Sequence, residues 1–98
     1  MRVRALWYRG GALYLIDQRQ LPQRTVVRRL RRVPEVAEAI RTMVVRGAPA
    51  IGVAAAYGMV LAHREGTYSP ERAAKLLTAT RPTAHDLAVG VETVRASW

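Results

Sequence analysis

Apolar and polar residues alternate along the first third of the chain, and this period of two predicts β-strands. Val3, Ala5 and Trp7 occupy every second position of the first run. The pair Gly10-Gly11 suits a two-residue hairpin turn, because glycine tolerates positive φ at both central positions. Residues 12–17 supply a returning strand. Residues 24–32 supply a third strand, whose five arginines favour a solvated edge.

After residue 33 the apolar positions recur with the period of a helix. Pro34 suits the first helical turn, where its missing N–H costs nothing. Further helices are predicted over residues 52–64, after Ser69 as N-cap and after Thr83 as N-cap. The first helix has an apolar stripe consisting of Val36, Ala37, Ile40, Met43 and Val44. We therefore predict an α+β fold, with a short antiparallel sheet of about three strands followed by a bundle of about four helices.

Length and composition restrict the class of protein. Ninety-eight residues suffice for one small domain, with a sheet part over residues 1–32 and a helical part over residues 33–98. No run approaches the roughly 20 apolar residues that a membrane span needs, and no secretory signal is visible. We therefore expect a cytoplasmic protein without a membrane partner.

Residue types exclude several kinds of site. The chain has no cysteine, which rules out disulfides, thiolate metal sites and a cysteine nucleophile within these residues. The two histidines, His63 and His85, lack the spacing of metal ligands. We expect no metal site and no cofactor.

The charge is strongly positive, at +9, and fifteen arginines with a single lysine carry it. Arginine in place of lysine fits a GC-rich genome or a thermophile. An excess of basic over acidic residues also raises the question of a nucleic acid partner. Charge by itself is weak evidence for such a partner, so we do not expect one from the sequence.

Two loops combine an arginine with a proline near a helix start. One is "VVRGAPAIG", with Arg46 and Gly47, and the other is "TRPTAHD", with Arg81. Helix N-termini attract anions, glycine lets the backbone approach a ligand, and arginine offers a forked contact to phosphate. These loops are candidates for an anion site, although a turn between helices needs no ligand at all.

The small residues after the first loop bear on how close the two loops lie. Ala54, Ala55, Ala56 and Gly58 would let neighbouring helices approach closely, which would bring the loops together. Tight packing without a ligand explains the same residues. His85 and Asp86 are adjacent on a helix and point to different faces, so a direct acid–base dyad is not expected.

Three strings of residues resemble one enzyme family. "IDQRQLP", "EVAEAIRTMVVRGAPAIGVAAAYG" and "RPTAHDL" occur in the order and at roughly the spacing found in methylthioribose-1-phosphate isomerases. That superfamily also contains ribose-1,5-bisphosphate isomerases and regulatory subunits of the initiation-factor guanine-nucleotide exchange complex. The complete "RGAPAIG" is most similar to the methylthioribose branch. The resemblance implies an N-terminal domain of strands and helices, which a Rossmann-like catalytic domain follows in the family.

The resemblance also implies a function. Arg46, Gly47 and Ala48 would help to bind a sugar phosphate, and Arg81 would be a second contact. The implied reaction is the aldose–ketose isomerisation of methylthioribose 1-phosphate to methylthioribulose 1-phosphate in methionine salvage. The family's catalytic cysteine and aspartate lie in the second domain, so we expect no catalytic residue within residues 1–98. A phosphorylated sugar is the implied partner, and the full-length form is expected to be a homo-oligomer.

One departure from the family pattern keeps alternatives open. Family members usually have an apolar residue and asparagine where this chain has His85-Asp86, and a carboxylate near a phosphate would repel it. The alternative function is a noncatalytic regulatory module related to the initiation-factor subunits. If a partner domain is absent, we predict an exposed apolar patch on the helical bundle and self-association through it.

Overall fold

A computed structural model describes residues 6–98. Three strands, β1 (Leu6–Arg9), β2 (Ala12–Ile16) and β3 (Val27–Leu30), precede four helices. The helices are α1 (Val33–Arg41), α2 (Ala48–Glu65), α3 (Pro70–Thr78) and α4 (His85–Arg95), and a short 3-10 turn covers Gln18–Gln20. The predicted α+β arrangement is confirmed, while Val3 and Ala5 of the predicted first strand lie outside the described residues. Within residues 6–98, no helix combines the length and the apolar character needed to cross a membrane.

The sheet is antiparallel, with the strand order β1-β2-β3. Gly10 and Gly11 connect the first two strands with φ values of 60° and 77°, and side chains with a Cβ rarely adopt this conformation. The two-residue hairpin turn is therefore confirmed. Leu13 and Leu15 are fully buried, whereas Tyr14 between them is half-buried. This alternation shows that one face of the sheet packs on the core.

The core lies between that sheet face and the helices. Its largest fully buried apolar side chains come from β2 and from all four helices: Leu13, Leu15, Val33, Val36, Ile40, Met59, Leu77 and Leu87. Ser69 begins α3 as predicted, because its hydroxyl accepts a hydrogen bond from the backbone N–H of Arg72 at 3.1 Å. Every helix thus contributes to one apolar cluster.

Two predicted helix boundaries and one predicted core residue are wrong. Met43 follows the end of α1 with φ 66° and is 43% exposed, because the chain turns there and returns the N–H of Val44 to the carbonyl of Ala39. Helix α2 begins at Ala48 rather than at residue 52, since a proline is accommodated within its first turn. Helix α4 begins at His85, so its N-cap is Ala84 and not Thr83.

Candidate functional site

A cavity of about 370 Å³ lies where the loops before α2 and α4 meet. Gly47, Ala48 and Arg81, three of the four residues predicted to bind phosphate, line it. The remaining lining residues are Ile51, Ala84, His85, Asp86 and Leu87. Arg46 is exposed immediately before this cavity's first residue and is not part of the lining. The structure therefore brings two loops together that are more than 30 residues apart in the sequence.

Both helices that begin at this cavity have uncapped N-termini. The N-cap of α2 is Gly47, with φ 94° and ψ 128°, and the N-cap of α4 is Ala84. Neither residue has a side chain that accepts a hydrogen bond from the first turn. The first backbone N–H groups of a helix have no partner within the helix and carry about half a positive charge. An anion in the cavity would satisfy such groups from two helices.

Close packing of α2 on α4 holds the two loops in place. A Cβ built on Gly90 would overlap the carbonyl oxygen of Gly52. A Cβ built on Gly52 would lie 2.7 Å from the carbonyl oxygen of Asp86. The two helices thus meet backbone against backbone, which no larger residue at these positions would permit. This contact sets the distance between the first turns of α2 and α4.

Arg81 contributes a cation whose polar atoms are only partly satisfied. Its side chain is half-buried, and its Nε atom is buried without a hydrogen-bond partner among residues 6–98. The backbone of Arg81 is fixed, because its N–H donates to the carbonyl of Thr78 at 3.3 Å and its carbonyl accepts from Ala84 at 3.1 Å. A buried donor without a partner is costly. An oxygen-rich ligand in the cavity would remove that cost.

Comparisons with known proteins identify relatives along most of the chain. No family model matches. A methylthioribose-1-phosphate isomerase of Thermus thermophilus is 52% identical over 90% of this chain and 26% of that protein. The enzyme of the same name from Aquifex aeolicus is 47% identical over 89% of this chain and 19% of that protein. The chain corresponds to a segment of the methylthioribose-1-phosphate isomerase family.

Solved structures place the same segment in two kinds of protein. The 5-methylthioribose 1-phosphate isomerase of Pyrococcus horikoshii matches with a TM-score of 0.86 and 38% identity, over 96% of this chain and 29% of that chain. The translation initiation factor eIF-2B, subunit delta, from A. fulgidus matches with a TM-score of 0.88 and 41% identity, over 97% of this chain and 30% of that chain. The chain spans less than a third of the length of each of these relatives.

The two polar residues that depart from the family pattern, His85 and Asp86, both line the cavity. His85 is the first residue of α4 and is exposed, and Asp86 beside it is half-buried. The first turn of a helix stabilises a carboxylate, which explains how Asp86 is tolerated there. The same carboxylate adds negative charge to a cavity that Arg81 and two helix N-termini make positive. Asp86 is thus positioned to weaken the binding of an anion.

Sequence reasoning did not name the apolar part of the cavity. Ile51, Ala84 and Leu87 line it, and Ile51 and Leu87 are buried. The spacing of Ile51 is a usable signal, because it lies three residues after Ala48 and therefore on the same helix face. No such spacing identifies Leu87, which lines the cavity only because α4 packs on α2. The cavity therefore combines a cationic end with an apolar wall.

A second charged cluster lies away from the cavity and has a structural role. Asp17 is fully buried at the end of β2, and its carboxylate accepts hydrogen bonds from the Arg19 side chain at 2.8 and 3.0 Å. The Nε of Arg28 on β3 donates to the same carboxylate at 3.1 Å. The hydrogen bonds from the Arg19 side chain, foremost, hold the pKa of Asp17 well below its ordinary value. This cluster ties the loop after β2 to β3.

The histidines lie apart from any group of metal ligands in the described chain. Residues 6–98 contain no group of three or more histidine, aspartate or glutamate side chains that could hold a metal ion. His63 is exposed near the end of α2, and its ring meets Trp98 edge-on with the centroids 5.0 Å apart. Trp98 itself packs against the core. His63 therefore helps to cover Trp98.

Proposed function

We propose that the cavity between the first turns of α2 and α4 binds the phosphate of a phosphorylated sugar, and that the chain contributes this site to an aldose–ketose isomerase. Gly47 and Ala48 would donate backbone N–H groups, and Arg81 would donate from its guanidinium. Arg46, exposed beside the cavity, would add a second cation. The names of the relatives support this choice of ligand class.

The single observation that carries the proposal is the meeting of Arg81 with the uncapped start of α2 in one cavity. A planar guanidinium and a row of backbone N–H groups both match the oxygen atoms of a phosphate. A turn that only connects two helices, without a ligand, would not require Arg81, which comes from a loop far along the chain and whose Nε is buried without a partner among residues 6–98. Phosphate recognition accounts for the glycine, the uncapped helix and the arginine together.

The proposed reaction converts methylthioribose 1-phosphate to methylthioribulose 1-phosphate. The anomeric phosphate locks the sugar as a ring, so the ring must open with acid–base help before hydrogen moves between C1 and C2. The residues of this cavity would hold the phosphate end while that occurs. The cysteine and aspartate that the resemblance implies as catalytic lie outside residues 1–98, and the chain has no cysteine. We therefore propose that this segment binds and orients the substrate and that other residues move the hydrogen.

A binding measurement tests the site on this chain. Methylthioribose 1-phosphate and inorganic phosphate would be titrated separately while the amide signals of Gly47 and Ala48 are followed by nuclear magnetic resonance. We expect both signals to shift, and we expect Arg81→Ala to weaken binding by about tenfold or more, as for other charge-assisted hydrogen bonds. Arg24→Ala is the matched control, because Arg24 is exposed and lies outside the cavity. Equal effects of the two substitutions, or no shift, would contradict the proposal.

A chimera tests the isomerase assignment separately. Residues 6–98 would replace the matching segment of the Thermus thermophilus enzyme, with which the chain shares 52% identity. We expect the chimera to catalyse the isomerisation and to lose activity with Arg81→Ala. A folded chimera that binds phosphate without isomerase activity would contradict the assignment. The cytoplasmic location and the homo-oligomeric full-length form stay predictions.

A second candidate function is a noncatalytic regulatory module. The similarity to the initiation-factor subunit, at 41% identity and over 97% of the chain, favours it. Such a module would act through contacts with proteins or nucleotides. A nucleotide titrated in the same way as methylthioribose 1-phosphate would test it, and preference for the nucleotide would support this candidate over the isomerase.

A further inference from the structure

The face of the sheet that points away from the core carries a row of flat and cationic side chains. Trp7 on β1 lies directly opposite Tyr14 on β2, and Tyr14 lies directly opposite Arg29 on β3. The rings of Trp7 and Tyr14 stack, with their centroids 5.6 Å apart and their planes 5° from parallel. Both residues are half-buried and neither packs against the core cluster of the described chain. The row thus crosses all three strands on the outer face.

The charged residues of the three strands are all arginines. The strands β1, β2 and β3 contain three arginines and no acidic residue. Arg9 lies two residues after Trp7 and therefore on the same face. Among residues 6–98, Arg9 and Arg29 form no ion pair, whereas Arg28, whose side chain has the opposite direction, is bound to Asp17. Because side chains alternate along β3, Arg28 binds the buried carboxylate of Asp17, whereas Arg29 lies on the outer face.

We propose that this outer face, defined by Trp7, Tyr14, Arg29 and Arg9, binds single-stranded nucleic acid. Bases stack on aromatic side chains whatever their sequence, and arginine binds the phosphates between them. Neighbouring strands lie about 4.8 Å apart, so the row spans about 10 Å, enough for two or three nucleotides. A second copy of the chain is a poorer occupant, because each copy carries a charge of +9 and presents the same arginines.

The total charge alone does not favour a nucleic acid partner, and the stacked rings are the additional observation. A polyanion bound by charge alone would not distinguish this face from other arginines and lysine on the surface. Binding through the row would depend on Arg29 more than on a cation elsewhere. It would also depend on an aromatic ring at position 7.

The first experiment measures the fluorescence anisotropy of labelled oligouridine and oligothymidine of about 12 nucleotides, at about 50 mM salt. We expect both strands to bind, and we expect Arg29→Glu to weaken binding at least tenfold. Lys75→Glu is the matched control, because it makes the same change of charge at an exposed position on α3. It should weaken binding less than threefold. With Arg9 and Arg29 on two phosphates, the logarithm of the affinity should fall with the logarithm of the salt concentration with a slope of about −1.4.

A second pair of variants tests the ring. Trp7→Phe should retain binding within a few fold and Trp7→Ala should lose it, with circular dichroism showing that both are folded. Absence of binding by the wild-type chain, equal losses with Arg29→Glu and Lys75→Glu, or equal affinities of the two Trp7 variants would overturn the proposal. A wild-type dimer that Arg29→Glu dissociates, without oligonucleotide binding, would show that the face binds a second copy and would overturn it as well.

Discussion

Gly90 on α4 lies so close to Gly52 on α2 that a methyl group on Gly90 would overlap the Gly52 carbonyl oxygen. A contact with backbone cannot be relieved by rotation of a side chain. The helices would have to move apart, and the first turns that line the cavity belong to those same helices. The glycine contact therefore connects the packing of the bundle to the geometry of the proposed phosphate site.

Substitution of Gly90 by alanine should destabilise the fold although alanine favours helices. The gain in helix propensity is about 1 kcal/mol, and we expect the overpacking to outweigh it and leave a net loss of about 2 kcal/mol in the free energy of unfolding. Urea denaturation measures this loss. Gly58→Ala is the control, because its Cβ would lie 3.1 Å from side-chain atoms of Leu77 and Val36, which can shift. A smaller loss for Gly90→Ala than for Gly58→Ala would contradict this account.

Local patterns predicted the elements of this fold better than their boundaries. The Gly10-Gly11 turn and the Ser69 cap depend on neighbouring residues, and the structure confirms them. The alternation of the first run predicted a strand but not its inner face, because Leu6 and Tyr8 pack against the core and Trp7 does not. The start of α2 was placed too late because its N-cap is a glycine whose side chain makes no capping hydrogen bond. Met43 was assigned to the core because its spacing fits a helix that in fact ends at Arg41.

Several residues of the candidate site were predicted from local patterns, whereas their positions relative to one another depend on contacts between distant parts of the chain. Arg81 and Gly47 were identified from their loops, and small residues of α2 were predicted to bring these loops together. The contact of α2 with α4 is made by Gly52 and Gly90, whereas Gly58 faces Leu77 and Val36. Arg46 was predicted to share the site and lies outside the cavity lining. The buried cluster of Asp17 was missed because its arginines come from two different segments.

Gly47 should be sensitive to a Cβ of either hand, through backbone strain rather than through volume. Its φ of 94° is rare for L-residues, and a Cβ built there has no neighbour within 4 Å. We therefore expect Gly47→Ala to lower the free energy of unfolding by about 1–2 kcal/mol through backbone strain alone. D-alanine gives the matched control by chemical synthesis, because φ 94° with ψ 128° mirrors to φ −94° with ψ −128°, which L-residues also avoid. Thermal unfolding should therefore show a loss for both alanines, and full recovery of stability with D-alanine would contradict this account.

Asp17 should make the stability depend on pH in the acid range. Its pKa in the folded chain is lowered, chiefly by the Arg19 side chain, whereas an aspartate in an unfolded chain has a pKa of about 3.9. The unfolded state therefore takes up protons first as the pH falls. The stabilisation is fully present above about pH 5 and is lost as the pH falls from about 4 towards the lower folded pKa. Urea denaturation at a series of pH values measures this loss.

Asp17→Asn should lower the free energy of unfolding at about pH 7 by about 2–3 kcal/mol, because charge-assisted hydrogen bonds are lost. It should also make the decline below about pH 4 shallower. Glu38→Gln is the control, because Glu38 pairs with Arg41 at 2.6 Å while both side chains are more than half exposed. Such a surface pair is worth about 1 kcal/mol or less. The prediction is wrong if the two substitutions have equal effects at neutral pH.

Asp86→Asn should strengthen phosphate binding while slightly weakening α4. Removal of a negative charge from the cavity lining should gain about 1 kcal/mol, which is about fivefold in Kd. The asparagine keeps the size of the side chain but loses the favourable interaction with the start of the helix, about 0.3–1 kcal/mol of stability. Calorimetric titration with inorganic phosphate gives the affinity, and thermal unfolding gives the stability. Because these two changes have opposite signs, improved binding cannot be attributed to a better folded protein.

Glu92→Gln, at an exposed position later on the same helix and outside the cavity, makes the same change of charge and should leave the affinity within about twofold. Equal gains from both variants would show that Asp86 acts only through the total charge, and unchanged binding by Asp86→Asn would place the phosphate elsewhere.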